Sequence, residues 1–399
     1  MFFDAMPEAP ADPILGLTGA YKADPRTPKA NLGVGVFMDE DGRTPVLACV
    51  KEAEARLAAS ETSKTYAPIA GVEGFGEAAR ALALGGDWGA GRGLATVQTP
   101  GGTGALRLGG ELLKLFRGGG RVWLPRPTWG NHAAIFRALG LEVREYPYYS
   151  AETRGVDAEA MVASLDAVEA ADTVLLHACC HNPTGADPDA AAWARVAECA
   201  ERRGWLPFFD FAYQGFGDGV EEDRVGMLAV LGRVEEALVA TSFSKNMGLY
   251  GERVGALTLV ARSERAAGAA LSQAKRIVRT LHSNACIHGA SVAREILRDA
   301  GLRAAWRTEL DAMRGRIARN RSALAEGLAE RCPGMDFGYL ARQKGMFSYT
   351  GLDDDQVDWL RRERAVYLVK GGRINVAGLL PATFDYACDA MAEAMCRKA

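Results

Sequence analysis

The chain has 399 residues, 48% hydrophobic and 24% charged, which is ample for a sizeable buried core. Its formal net charge is −3 with Lys and Arg spread along the chain, so neither nucleic acid nor an anionic membrane is expected as a partner. The eight cysteines have neither zinc-ligand nor disulfide-framework spacing, and only Cys179 and Cys180 are close in sequence; they read as reduced thiols of a cytoplasmic protein with no metal site.

Met1 to Pro10 carries Phe2 and Phe3 but also Asp4 and Glu8, and lacks the basic head and apolar run of a secretory signal. No later stretch has the length of a membrane span; even Val174–Cys180 is interrupted by His177. Asp12–Thr44 has extended and turn-like character around Asn31–Val36 and is expected to pack with the carboxy-terminal part. Short β-rich apolar runs follow at Leu94–Gln98, Arg121–Leu124, Leu141–Tyr146, Thr173–Cys179, Leu206–Asp210, Ala237–Thr241 and Val254–Val260. Most are separated by helical stretches such as Gly104–Phe116 and Ala190–Arg203, which predicts an α/β fold with a mainly parallel sheet covered by helices on both faces. Beyond about Ala300 the pattern becomes a long charged helix, Leu302–Glu330, and then shorter elements ending at Met395. A second, smaller domain is expected there.

Several segments carry chemistry. Thr99-Pro-Gly-Gly-Thr-Gly-Ala-Leu-Arg107 is a glycine turn between a strand and a helix, and N–H groups at such a helix start, with the Thr103 hydroxyl, hold a phosphate. It matches neither the nucleotide-hydrolase loop nor the full dinucleotide fingerprint, so a monophosphate fits better. His181-Asn-Pro-Thr-Gly185 follows a strand and leaves the Asn182 amide free to donate. In Trp205-Leu-Pro-Phe-Phe-Asp-Phe-Ala-Tyr213, Asp210 interrupts an apolar strand, where a carboxylate needs a compensating cation or donors. A protonated pyridine nitrogen is one such cation, an internal salt bridge the alternative. Ala237-Leu-Val-Ala-Thr-Ser-Phe-Ser-Lys-Asn246 puts two hydroxyls and an amine at the carboxyl end of a strand, where open α/β sheets bind ligands. Taken alone it reads more readily as a surface lysine just beyond a strand. Gly372-Arg-Ile-Asn-Val-Ala-Gly378 sets Arg373 between glycines, suited to bidentate capture of a carboxylate.

Together these segments resemble the aspartate and aromatic amino acid aminotransferases, subgroup I of the fold-type I pyridoxal-phosphate enzymes. The resemblance runs from Ala11-Asp-Pro-Ile-Leu-Gly-Leu17 to Arg373-Ile-Asn-Val-Ala-Gly378, and the motif S-x-S-K-N-x-G-L-Y-x-E-R-V-G from Ser242 to Gly255 is its most specific part. It implies a mainly parallel seven-stranded sheet sandwiched by helices plus a smaller α+β domain. The implied division is an arm over 1–12, a small-domain segment over 13–43, a large cofactor domain over 44–311 and a small domain over 312–399.

For the site, the resemblance implies pyridoxal 5′-phosphate bound as a Schiff base on Lys245, with Asp210 on the pyridine nitrogen, Tyr213 and Asn182 on the phenolic oxygen and Trp129 stacked on the ring. Gly102, Thr103, Ser242, Ser244 and Arg253 would hold the phosphate, joined by Tyr66 of a neighbouring subunit in a homodimer. His132 and His177 would support Asp210, packed core histidines being the alternative. Arg373 would take the substrate α-carboxylate beside Gly35, Trp129 and Asn182, and Arg279 would reach across the dimer to a distal carboxylate; Arg276 is the nearby competitor. Met38 stands where aspartate-specific members usually carry Lys, and His282 where the family usually has Tyr; together they leave room for aromatic donors. The implied reaction moves an amino group from an L-amino acid, aspartate or aromatic, to 2-oxoglutarate by ping-pong kinetics. Cis peptides are expected at Arg126-Pro127 and Asn182-Pro183.

Overall fold

The structure, a computed structural model, describes residues 1–9 and 13–397. The first residues of the matching stretch, Ala11 and Asp12, lie outside it. The apolar runs form one seven-stranded sheet. In chain order its strands are β1 (Gly93–Pro100), β2 (Val122–Arg126), β3 (Val143–Pro147), β4 (Thr173–His177), β5 (Leu206–Phe211), β6 (Ala237–Ser242) and β7 (Val254–Ala261). Side by side they run β1-β7-β6-β5-β4-β2-β3. From β6 to β3 every pairing is parallel, whereas β7 runs against both β6 and β1. The carboxyl ends of all the other strands and the amino end of β7 therefore meet at one edge.

β4, β6 and β7 are buried along their full length, as continuous apolar strands are when both faces of a sheet are covered. Alternate residues feed two core layers. Leu175, Phe208, Leu238 and Leu257 face helices α1 (Gly101–Phe116) and α4 (Glu264–Leu281). Val174, Phe209, Val239 and Ala256 join the layer that holds Trp193 of α3 (Ala190–Arg203) and Trp306 of α5 (Ala300–Arg331). Between them in sequence lies α2 (Asn131–Ala138).

The helix ends follow local signals. Asp189 caps α3 by accepting from Ala192 N, and Gly204 ends it in the left-handed conformation. Asp299 caps α5 by accepting from Leu302 N, which starts the helix at Ala300, before the first position read from periodicity.

The amino-terminal segment differs from its reading in one respect: Pro13–Ala23 is a helix, not extended chain. Gly16 and Gly19 weaken its helical signal, while Pro13 at the first position presets the backbone angle. Its packing is as expected. Ala30–Asn31 pairs in parallel with Val366–Tyr367, and Asn375 N donates to Leu32 O at 2.6 Å. The short strands Phe347–Tyr349 and Arg373–Asn375 pair antiparallel nearby. The peptides before Pro127 and Pro183 are both cis, as expected, and Thr27-Pro28 is a third cis bond. No helix among the described residues is long and apolar enough to cross a membrane.

Candidate active site

The common edge of the sheet is where the chemistry-bearing segments arrive. β1 passes directly into α1, whose first turn has no side-chain cap, so its N–H groups, including those of Gly102 and Thr103, are free for an anion. Because β7 is reversed, Arg253 just before it reaches the same edge; the register sets Gly255 between Thr99 and Ser242. Close approach makes glycine necessary at two points. A Cβ at Gly101 (φ 71°) would stand 2.6 Å from Arg253 Nη2, and one at Gly255 only 2.4 Å from the Gly101 carbonyl carbon. Arg253 Nη1 donates to Ser244 Oγ at 3.2 Å and to Tyr250 O at 3.1 Å, and Ser244 N donates to Ser242 Oγ at 3.2 Å. No carboxylate pairs with Arg253 among the described residues.

Asp210, near the end of β5, sits beside His177 of β4 and Ala240 of β6 in the ladder. Its carboxylate accepts from His132 Nε2 at 2.9 Å. Burial acts to raise the Asp210 carboxyl, but the His132 hydrogen bond, with the charges of His132, His177 and Lys245, leaves it below the usual carboxylate range. Behind His132 stands Thr128, whose Oγ1 lies 2.8 Å from His132 Nδ1 and 3.1 Å from His177 Nε2. Asn182 N donates to His177 Nδ1 at 3.2 Å. Burial, then the neighbouring His132, push His177 down to about 3. Both histidines thus support Asp210 as a connected chain, not as separate packed residues.

Lys245 follows β6 in a turn and lies with its Nζ 5.0 Å from the centre of the Tyr213 ring. Burial pushes its ammonium below the ordinary lysine range; Asp210 opposes that shift and Arg253 adds to it. The next residue is anchored from α5, since Trp306 Nε1 donates to Asn246 O at 2.7 Å. Arg373, 4% exposed, donates from Nη2 to Gly33 O at 2.8 Å and from Nη1 to Asn182 Oδ1 at 3.5 Å, with its guanidinium 4.3 Å from the Phe347 ring centre. Its Nε has no hydrogen-bond partner, and no carboxylate pairs with it among the described residues. Burial lowers its pKa accordingly. A buried cation without an anion is costly, so this one calls for an anionic ligand.

One cleft of about 250 Å³ brings together Gly35, Gly102, Thr103, Trp129, Asn182, Asp210, Tyr213, Ser242, Ser244, Lys245, Arg253 and Arg373. Tyr66 and Arg279 do not line it. Tyr66 is 88% exposed, and Arg279 lies exposed at the end of α4, donating to Ser283 Oγ at 2.5 Å. The two belong to adjoining surface, since Asn284 Nδ2 donates to Ala67 O at 2.8 Å. His282 is held locally, its Nδ1 donating to Asn284 O at 3.2 Å.

Sequence reasoning missed Thr128, Tyr250 and Phe347. Nothing in the local sequence marks Thr128 or Phe347, which matter through neighbours far along the chain. Tyr250 lies inside the quoted lysine motif and was legible there; it lines the cleft and its hydroxyl accepts from Phe37 N at 2.9 Å.

Residues 27–391 match the family model described as aminotransferase class I and II. The chain is 47% identical over 397 residues to an aspartate aminotransferase of Escherichia coli, covering 98% of this chain and 99% of that protein. It is also 47% identical over 397 residues to an aromatic-amino-acid aminotransferase of Pseudomonas aeruginosa, covering 98% of each. A crystal structure of the aromatic-amino-acid aminotransferase of Burkholderia pseudomallei, covalently bound to pyridoxal phosphate, superposes with a TM-score of 0.96 at 42% identity, covering 99% of both chains.

Proposed function

The chain belongs to the class I and II aminotransferases, and from that premise we propose that its cleft moves an amino group between an L-amino acid and 2-oxoglutarate with pyridoxal 5′-phosphate on Lys245. The observation that carries the site assignment is Arg373, a buried guanidinium with an orphaned Nε and no carboxylate partner among the described residues, in one cleft with Lys245 and Asp210.

The residues fit the cofactor. The uncapped start of α1 with Gly102 and Thr103, the Ser242 and Ser244 hydroxyls and the unpaired Arg253 suit its phosphate. Asp210, held as a carboxylate, suits a protonated ring nitrogen, and Asn182 and Tyr213 suit the phenolic oxygen. Trp129 offers a face for the ring. When bound, the cofactor supplies an electron sink that acidifies the donor's Cα proton.

The protein's own contribution is placement and proton transfer. Arg373 binds the α-carboxylate beside Gly35, which fixes the Cα. Lys245, released as an amine once the donor's amino group takes its place and held toward the neutral form by burial, would take that proton and give it back on the other side of the transfer. Asp210, as a carboxylate, would keep the ring nitrogen of the bound cofactor protonated. Ping-pong kinetics follow because one cleft serves donor and acceptor in turn.

The same reading makes the chain a homodimer of a cytoplasmic enzyme. Tyr66 and Arg279 are exposed on adjoining surface, outside their own cleft, as residues lent to a partner's phosphate and distal carboxylate would be. We keep the division into an arm over 1–12, a large domain over 44–311 and a small domain formed by 13–43 with 312–399; the pairing of Ala30–Asn31 with Val366–Tyr367 supports the last. Half-buried Met38, apolar where a lysine would favour a second carboxylate, supports aromatic donors alongside aspartate. The test is a single-turnover absorbance change of the loaded enzyme with aspartate, glutamate and phenylalanine in turn. Conversion of the cofactor to its aminated form by any of them supports the reading; no conversion by any of them overturns it.

A further inference from the structure

The eight cysteines look unrelated in sequence, yet the fold brings two of them together. Cys332 directly follows α5 as its cap, Cys396 ends the carboxy-terminal helix Phe384–Cys396, and their sulfurs lie 3.3 Å apart although they are 64 residues apart in the chain. Both helix ends are pinned independently of the thiols. Arg331 Nε donates to Asp389 Oδ1 at 2.5 Å and its Nη2 to Asp385 Oδ1 at 3.2 Å, and Gln356 Nε2 donates to Ala394 O at 2.9 Å. The sulfurs are near each other because the two helices are docked.

We propose that Cys332 and Cys396 are a dithiol site that a small-molecule disulfide, such as oxidised glutathione, converts to an intramolecular disulfide. Bond formation needs the sulfurs to close from 3.3 Å to about 2 Å, which rotation of the exposed Cys396 side chain in the last helical turn can supply. Cys396 is the accessible partner and makes the first attack, releasing one small thiol and leaving a mixed disulfide. Cys332 Sγ, giving up its proton, then attacks the Cys396 sulfur and expels the second small thiol. The protein loses two electrons and two protons, and the oxidant becomes two thiols. Burial, then the hydrogen bond with Cys396, push the Cys332 thiol up to about 11, so Cys332 is not the thiol that attacks the small-molecule disulfide first.

The closed loop contains Phe347 and Arg373, so the bridge would staple the strands that present the substrate arginine without touching the cleft. Its effect belongs to the unfolding of this unit, because a cross-link restricts the unfolded chain.

The holoenzyme, equilibrated with oxidised glutathione, then denatured, alkylated and weighed, should lose two alkylatable thiols without retaining glutathione. The peptides bearing Cys332 and Cys396 should be cross-linked, and the guanidinium midpoint should rise. Cys332→Ser should instead keep one glutathione on Cys396, and Cys396→Ser should keep a reduced Cys332. Glutathione retained on Cys396 of the wild type with Cys332 still alkylatable would overturn the proposal. So would an unchanged thiol count, or a cross-link through exposed Cys286.

Discussion

His132 Nε2 stands 2.9 Å from Asp210 Oδ2, and since a carboxylate only accepts, this nitrogen carries the proton. The rest of the chain is directed from the other end. Asn182 N donates to His177 Nδ1, so neutral His177 has its proton on Nε2 and gives it to Thr128 Oγ1; the Thr128 hydroxyl is then free to donate to His132 Nδ1. Thr128 positions, and Asp210 acts. Asp210→Ala should lower the rate of amino-group transfer on the order of 10²–10³-fold or more, as loss of a preorganised charge at the reacting centre does. Thr128→Val should cost about tenfold or less, because Asp210 keeps its place. Equal losses in single-turnover rates would show that the chain and the carboxylate act as one unit.

His177 gives a pH dependence with a definite sign. Burial holds it at about 3 in the fold, against 6.5 when exposed, so between those values the unfolded chain binds a proton that the folded one refuses. Stability must therefore fall as pH drops from about 6.5, by about 2 kcal/mol on reaching pH 5. His177→Gln removes the titrating group, and its urea midpoint should change less over that range. Parallel curves for the two proteins would place the acid sensitivity elsewhere.

Lys245→Ala should remove the absorbance of the lysine-bound cofactor and nearly all turnover, on the order of 10²–10⁴-fold from lost proton transfer alone. The cofactor should still bind, through α1, Ser242, Ser244 and Arg253. An exogenous primary amine should restore part of the rate, since the missing function is that of a free amine. Near-normal turnover in the alanine variant would remove Lys245 from the mechanism.

Which parts of this were legible in the sequence follows from the range of the interactions. Most strands of the sheet announce themselves as local apolar runs, the charged edge strand Val143–Pro147 being the weakest, and Asp210 was conspicuous as a carboxylate inside one of them. The antiparallel course of β7 was not, since Val254–Ala261 reads the same in either direction, yet that reversal delivers Arg253 to the edge where the parallel strands end. Thr128 and Phe347 were invisible for a similar reason. Each acts through residues brought near by the fold: His132 and His177 for Thr128, and Arg373 for Phe347. Pro13–Ala23 was hidden because its glycines dilute the helical pattern.

Arg279 carries the last prediction. Its guanidinium is exposed and, among the described residues, hydrogen-bonded only to the neighbouring Ser283, and it does not line the cleft of its own chain. If it reaches a partner's site to bind the distal carboxylate of a dicarboxylate substrate, Arg279→Leu removes a bidentate, charge-assisted contact. Catalytic efficiency toward aspartate, glutamate and their oxo acids should fall by at least about 2 kcal/mol, roughly 30-fold, and more if the closed site is dry. Phenylalanine makes no such contact and should lose much less, or gain, since leucine offers it apolar surface in place of a charge. Arg276→Leu is the control, one turn earlier on α4 and equally exposed, and should leave both donors alone. The measurement is kcat/KM for aspartate and phenylalanine in all three proteins at fixed 2-oxoglutarate, with single-turnover rates separating donor from acceptor effects. A loss shared equally by aspartate and phenylalanine in Arg279→Leu would make the residue a structural or dimer contact, and selective loss in Arg276→Leu instead would move the distal carboxylate to that arginine.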